Sequence, residues 1–465
     1  MEKRAARVRG SPSRRARAKQ MKQDRAQRAV VPMRAMARLA AISSRRSFMD
    51  SMFQQPSAMM RFVRRFWVLA ALSLAPAVAT SFARFAYALL LPAMRSELDL
   101  NYSQAGSLST ANAIGYLIGG LVCAQCVPRF GNRRLFSFGL IVTALALAGS
   151  GFAEGYVGQL VLRAVAGASS AMIFISGAVL ASSLFPDRPE QASSAIAVYF
   201  GGAGAGIVLT GLGIPWLLET MGDSAWRTAW LAIGGVSVLF GIASIRAAHR
   251  IEEPSSAGSA QPWSISAFQG ALASYFLFGA GYIAYMTFVI AWMVSRGASA
   301  LEVALMWGTL GASTMIAPLV WRVPRSRWPA AKRLAAVNAA VSVGAAIPLM
   351  STAPSAMVLS AFFFGLGMFS APATVTELVK ASLPKPSWGS AVAVFTMVVA
   401  VGQAIGPMLS GWIADAAHSL DACLAASVMI LLSASGAAIC QRQVGAERMP
   451  PAKSVRSYAP SGGSR

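Results

Sequence analysis

Charge is scarce in this chain: 12% of its 465 residues are charged, against roughly 25% in soluble domains. It has two histidines, four cysteines and 17 acids, and each shortage removes a class of function. Both histidines, His249 and His418, fall in connectors, so no imidazole relay runs through the interior. The cysteines are Cys123, Cys126, Cys423 and Cys440, and the Cys-x-x-Cys spacing at 123 and 126 lies inside an apolar segment. Without a nearby His or second pair, these two read as packing residues rather than a metal or redox site. No Walker motif is present, so ATP does not power the chain. The glycines from Gly201 to Gly206 lack the preceding strand that a dinucleotide loop requires. No catalytic constellation emerges, and the chain reads as a non-enzyme with no cofactor and no metal.

What the chain does have is apolar length. Hydrophobic residues make up 55% of it, gathered into twelve stretches: 66–91, 105–127, 135–153, 157–184, 192–218, 226–247, 266–294, 301–321, 333–352, 356–381, 388–415 and 421–441. The hydrocarbon core of a bilayer is about 30 Å thick and takes roughly 20 residues of helix to cross. Backbone groups at that depth must be satisfied internally, which leaves helices or a closed barrel. Unbroken runs such as Leu135 to Gly151 and Trp230 to Ile245 lack the alternation of barrel strands. The expectation is an all-α membrane protein of twelve transmembrane helices. The first stretch reads as one of them rather than as a cleavable signal peptide.

The formal net charge of +24 is unevenly placed. Residues 1–65 hold 18 Lys and Arg against Glu2, Asp24 and Asp50, a net +15, and the other 400 residues carry +9. The excess is therefore a tail and not a nucleic-acid-binding face. This basic, Ser- and Gln-rich segment reads as disordered. Three readings of it stay open: a surface segment on anionic lipid around Met33 to Leu39, a transit peptide, or a later start at one of Met33, Met36, Met49, Met52, Met59 and Met60. With the amino terminus inside, the inner connectors carry Arg129, Arg133, Arg134, Arg188, Arg246, Arg250, Arg322, Arg325, Arg327, Lys332, Arg333, Lys380 and Lys385; the outer ones carry Arg95, Arg227 and Arg296. That asymmetry predicts a multi-pass protein of a bacterial inner membrane with both termini cytoplasmic.

The longest polar connector, His249 to Ser264, divides the chain into a basic tail (1–65), a six-helix bundle (66–248), a linker (249–264), a second six-helix bundle (265–441) and a cytoplasmic tail (442–465). The halves look related. Gly202, Gly206 and Gly211 recur as Gly402, Gly406 and Gly411 at an offset of 200, and Gly167 recurs as Gly367. Val127-Pro128-Arg129 recurs as Val323-Pro324-Arg325 at an offset of 196. Three matches at nearly one offset point to an internal duplication, and six crossings make such repeats parallel.

Two parallel six-helix repeats with a cytoplasmic linker resemble the major facilitator superfamily over about residues 66–441. Arg129-Phe-Gly-Asn-Arg133-Arg134 resembles the basic half of its loop between the second and third helices, with Pro128 in place of the usual Asp. Arg163-Ala-Val-Ala-Gly167 resembles the Arg-x-x-x-Gly pattern of the fourth helix. The glycines of the fifth stretch resemble the motif associated with exporters, although the Gly-Pro falls in the eleventh stretch, at Gly406-Pro407. More narrowly, Arg84-Phe-Ala-Tyr87 with Leu91-Pro92, Asn112-Ala-Ile-Gly115-Tyr116, and Gly281-Tyr282 with Thr287-Phe288 resemble the YbfB/YjiJ group. The resemblance implies alternating access, with the first and seventh helices lining the central path.

Arg84 is the most informative single residue. A lone charge deep in the bilayer is costly unless it is paired or faces water. It reads as a cavity cation for an anionic group, or as a structural residue capping carbonyls or snorkelling outward. Arg163 offers the same choice, its structural alternative being Glu154 or a carbonyl. Tyr87, Asn112, Tyr116, Tyr282, Tyr285, Thr287 and Gln403 are the remaining binding candidates, each with an interhelical hydrogen bond as its alternative. Glu377 is the coupling candidate, or else a surface partner of Lys380. Arg129, Arg133, Gly202, Gly206, Gly211, Gly402, Gly406, Pro407 and Gly411 read as gating or packing residues. The expectation is a monomeric secondary transporter of a small organic solute, with an anion suiting Arg84 and export favoured over uptake. A transport-inactive sensor or scaffold built on the same bundle is the alternative.

Overall fold

A computed structural model describes residues 56–185, 188–253, 263–322 and 327–442. Linker residues 254–262, the repeated Val323-Pro324-Arg325 and the greater part of both tails lie outside the described residues. By compactness the chain divides into 1–67 and 68–465, and all contacts below belong to the second unit.

Eleven helices among the described residues are long and apolar enough to cross a membrane. They are α1 (Val63–Glu97), α2 (Tyr102–Ser150), α3 (Tyr156–Ser183), α4 (Pro189–Met221), α5 (Trp226–Ala248), α6 (Gln269–Ser295), α7 (Ala300–Val320), α8 (Ala330–Met350), α9 (Pro354–Ser382), α10 (Trp388–Ala417) and α11 (Leu420–Ile439).

Helix α2 covers two of the expected stretches. Its 49 residues would measure roughly 70 Å if straight, over twice the hydrocarbon thickness. It is broken at Gly131, where φ is 78° and ψ 161°, a conformation that side chains with a Cβ rarely adopt. The expected connector at 128–134 thus shrinks to one residue. Gly119 before the break abuts Ala168, and Gly139 after it abuts Ser169. Two points on either side of Gly131 meet neighbouring residues of α3, so the chain reverses there. Glu253 braces the start of the second arm: Asn132 N–H donates to its Oε2 at 3.0 Å and Arg133 N–H to its Oε1 at 3.1 Å. A carboxylate at a helix N-terminus is favoured by the helix dipole. The acid that Pro128 displaces from the loop is therefore replaced by one from the linker. Arg133 also donates from Nη2 to the Ile251 carbonyl at 2.6 Å. Arg129 is exposed and lies 5.5 Å from the Phe130 ring.

Two prolines account for irregularities elsewhere. Pro76 has no N–H, so the ladder of α1 is interrupted at Ser73 and resumes as a π-helix over Ala77–Phe85. Pro372 acts likewise in α9, where helix Pro354–Met368 gives way at Phe369 to Ser370–Ser382.

The glycines of α4 and α10 matched at an offset of 200 make matched contacts, whereas Gly167 meets Asn112 of α2 and Gly367 meets Val337 and Val341 of α8. A Cβ on Gly202 would overlap the Ser73 carbonyl of α1, and one on Gly402 the Phe276 carbonyl of α6. Gly206 lies against Ala77 and Ser81 of α1, and Gly406 against Ala280 of α6. Gly211 faces Trp307 of α7, and Gly411 faces Tyr102 of α2. Pro407 presents its carbonyl to Gly106. Backbones can approach this closely only where the side chain is a hydrogen, which is how helices gain packing energy in lipid. The helix ends are tied in the same paired way. Glu97 accepts from Trp226 Nε1 at 2.8 Å and from Arg227, and Asp421 accepts from Trp292 Nε1 at 2.8 Å and from Arg296.

Candidate functional site

A π-helix bonds each N–H five residues back instead of four; Ala86 N–H, for example, reaches the Ser81 carbonyl. At the end of this segment the carbonyls of Ala83 and Arg84 turn to side chains from other helices. Arg163 of α3 donates from Nη1 to Ala83 O at 2.8 Å and from Nη2 to Arg84 O at 3.3 Å. Asn112 of α2 donates from Nδ2 to Ala83 O at 3.2 Å and to Arg163 O at 3.1 Å. Arg163 is 1% exposed, and its guanidinium carbon lies 4.8 Å from the Tyr87 ring centre and 5.6 Å from that of Trp230. Tyr87 donates to Ala105 O at 2.8 Å. Arg163, Asn112 and Tyr87 thus hold α1, α2 and α3 together around the widened turn.

Arg84, at the end of that turn, reaches the other way. It is partly buried, donates from Nη2 to Gln403 Oε1 of α10 at 2.7 Å, and lies 5.3 Å from the Tyr116 ring centre. Gln403 in turn donates from Nε2 to the Tyr282 hydroxyl oxygen of α6 at 2.8 Å. Tyr282 is stacked on Phe278 at 4.8 Å. Four of the nine binding candidates therefore form one run, Arg84, Tyr116, Tyr282 and Gln403, with Arg163 behind it on the Arg84 carbonyl. Thr287 is also close by, donating to Ile283 O at 2.7 Å and lying 3.1 Å from Ser109 Oγ. Tyr285 is placed apart. Its hydroxyl lies 2.8 Å from Ser360 Oγ and its ring stacks on Phe364 at 4.6 Å.

Glu377 has a partner of its own. It forms a close ion pair with Arg333 of α8, and Lys380 lies 5.6 Å from the Trp388 ring instead of pairing with it. The spacing of three on one helix is outweighed by a buried guanidinium on the neighbouring one.

Two further groups join residues 68–253 to residues 263–442. Both oxygens of Asp415 accept from the start of α2: Tyr102 N–H at 2.9 Å, and the Ser103 N–H and hydroxyl at 2.8 and 2.5 Å. Thr110 donates to Ala404 O at 2.6 Å. Asp415 looked like an ordinary helix-end acid in the sequence, and Ser109 and Thr110 are common hydroxyls in an apolar run. Their places at the junction follow from tertiary packing alone.

Between Arg84 and Arg163 lies a small cavity, bordered also by Ser109, Asn112, Thr287 and Met286, with room for little more than one water molecule. Its polar border is thus made of two guanidiniums with the side chains of Tyr87, Ser109, Asn112 and Thr287.

Comparisons with known proteins agree with this architecture. The inner membrane transport protein YdhP of Escherichia coli (strain K12) is 28% identical over 154 residues, covering 32% of this chain and 37% of that protein. The matched region is thus little over a third of YdhP's length. The probable high-affinity nitrate transporter 2.4 of Oryza sativa subsp. japonica is 30% identical over 174 residues, or 35% of this chain and 34% of that protein. Among solved structures, a bacterial homologue of the human lysosomal transporter Spinster, in an inward-facing and unoccupied conformation, has a TM-score of 0.64 at 16% identity, covering 84% of this chain and 99% of that one. The nucleoside transporter NupG has the same TM-score at 11% identity, over 80% of this chain and 100% of its own. At these identities the structural likeness speaks for the fold, and these relatives are transporters rather than enzymes. The family model described as uncharacterised MFS-type transporter YbfB matches residues 76–439, and the chain, a multi-pass membrane protein, belongs to that family.

Proposed function

We propose that this protein is a secondary transporter that carries a small organic anion across the bacterial inner membrane by alternating access. The observation that carries this reading is the run Arg84–Gln403–Tyr282, in which a guanidinium from the first half of the chain is held by an amide oxygen from the second. An amide oxygen is a neutral stand-in for a carboxylate. A solute carboxylate makes the stronger, charge-assisted bond to Arg84 and releases Gln403, so that occupancy and the tie between halves are linked. The faces of Tyr116 and Tyr282 suit an aromatic or apolar body on the same solute. That one relative is named as a probable nitrate transporter is consistent with an anionic cargo.

In this reading α2 counts as two crossings divided at Gly131, which gives twelve crossings in two parallel repeats, and both termini are cytoplasmic by the charge of the connectors. The parallel between the contacts Gly202 and Gly206 make with α1 and those Gly402 and Gly406 make with α6 supports the duplication. The tie between Asp415 and the start of α2 then belongs to the outer face and parts when the transporter opens outward. Glu377 is the carboxylate available for proton coupling, in exchange with Arg333. Export is the favoured direction, from the glycine-rich fifth stretch. The carrier works as a monomer, with its basic tail on anionic lipid.

The test is Gln403→Glu. A tethered carboxylate beside Arg84 competes with the solute at close range. Saturable organic-anion flux into proteoliposomes is expected to fall at least about tenfold, the equivalent of losing one charge-assisted bond. Flux of the variant equal to that of the natural protein would overturn the assignment of this site.

A further inference from the structure

The solute reading uses the side of Arg84 that faces Gln403, Tyr116 and Tyr282. The cavity on its other side, towards Arg163, has its own chemistry, and we propose that it binds a small monovalent anion of about chloride size.

Two guanidiniums border one small cavity, and one of them, Arg163, is 1% exposed. Among the described residues no carboxylate pairs with either; the ion pairs formed are Arg133 with Glu253, Arg227 with Glu97, Arg296 with Asp421 and Arg333 with Glu377. A buried charge without a counter-charge costs several kcal/mol even after relaxation. Carbonyl bonds from Ala83 and Arg84 satisfy part of Arg163 but bring no negative charge.

Hydrogen bonding gives the same sign. The Nε of Arg84 and the Nε of Arg163 are both buried with no acceptor among the described residues. Thr287 gives its one hydroxyl hydrogen to the Ile283 carbonyl at 2.7 Å and lies 3.1 Å from Ser109 Oγ. Asn112 already donates twice from its amide nitrogen. Spare donors with two positive charges select an anion over a cation or a neutral solute with donors of its own. Size then narrows the class. Space for little more than one water molecule excludes an organic acid, and the apolar side chains of Phe85, Ile283 and Met286 on the remaining walls disfavour a doubly charged oxyanion that needs acceptor contacts all round. The occupant that fits is a compact ion of charge −1, which neutralises Arg163 and pins the end of the π-helix while Arg84 stays available to the solute.

The test uses the full-length protein in detergent, with the purified carrier's thermal unfolding followed in sodium chloride, bromide, sulfate and gluconate at matched ionic strength. Because a ligand of the folded state stabilises it in proportion to the logarithm of its concentration above the dissociation constant, unfolding temperature is expected to rise with chloride and bromide and to stay flat in gluconate, with sulfate as the control for general stabilisation by an excluded salt. In crystals grown with bromide, an anomalous peak is expected between Arg84 and Arg163. Equal unfolding in all four salts, or an ordered water at that position in bromide crystals, would overturn the proposal. The two readings separate cleanly: solute flux without halide dependence sinks the anion cavity alone, and halide dependence without solute flux sinks the transporter reading alone.

Discussion

Arg84→Ala is expected to abolish saturable organic-anion transport while leaving the fold in place. Among the described residues the side chain donates one hydrogen bond, to Gln403, and makes one ring contact, with Tyr116. Its removal costs the fold little, whereas a solute carboxylate loses its counter-charge. Charge-assisted hydrogen bonds are worth about 1.5–3 kcal/mol, so affinity should fall roughly 10- to 100-fold, beyond the range of an ordinary flux assay. Arg84→Lys keeps the charge but not the planar fork and should recover part of the flux. Counterflow in proteoliposomes, with thermal unfolding as the control for folding, measures both. Alanine-variant flux within twofold of the natural protein would remove Arg84 from the site.

Arg163→Leu should show the reverse pattern, a large loss of stability before any question of transport arises. Its guanidinium lies against the rings of Tyr87 and Trp230 and donates to two carbonyls at the end of the π-helix. Asn112 still reaches Ala83 O, but Arg84 O loses its donor. An unsatisfied buried carbonyl costs about 1–3 kcal/mol, and lost packing adds to it, for a total of about 2–5 kcal/mol. Unfolding of the purified variant at a markedly lower temperature is the expected result, and an unchanged temperature would show that the π-helix end does not depend on α3.

Most of the architecture could be read from the apolar runs, because in lipid the length of a crossing is fixed by the solvent and not by the partner. The reversal at Gly131 was legible as two stretches, though not as a single helix interrupted at one residue; that depends on backbone conformation. The glycine matches between the fifth and eleventh stretches carried real packing information, since Gly202 and Gly402 each meet a backbone carbonyl of the first helix of a half, Ser73 of α1 and Phe276 of α6. Three features were hidden. The π-helix leaves no periodic trace over nine residues, and Pro76 was its one local signal. Glu253 supplies the acid missing before Arg129 from a point 120 residues along the chain. The contact of Arg84 with Gln403 spans 319 positions, and nothing local distinguishes that glutamine from one in an interhelical bond. Arg163 illustrates the limit best: a charge deep in an apolar segment is visible in sequence, but whether it faces a solute or a carbonyl depends on the helix opposite.

The account rests on two halves that part and close around Arg84, and distance distributions report that motion most directly. Spin labels at Ser96, at the end of α1, and Ala417, at the end of α10, both exposed, flank the tie between Asp415 and the start of α2. Two populations are expected in lipid, one short as in this structure and one longer, with saturating organic anion shifting the balance between them. A single short distance at every solute concentration, in protein that still catalyses flux, would contradict alternating access by these two halves.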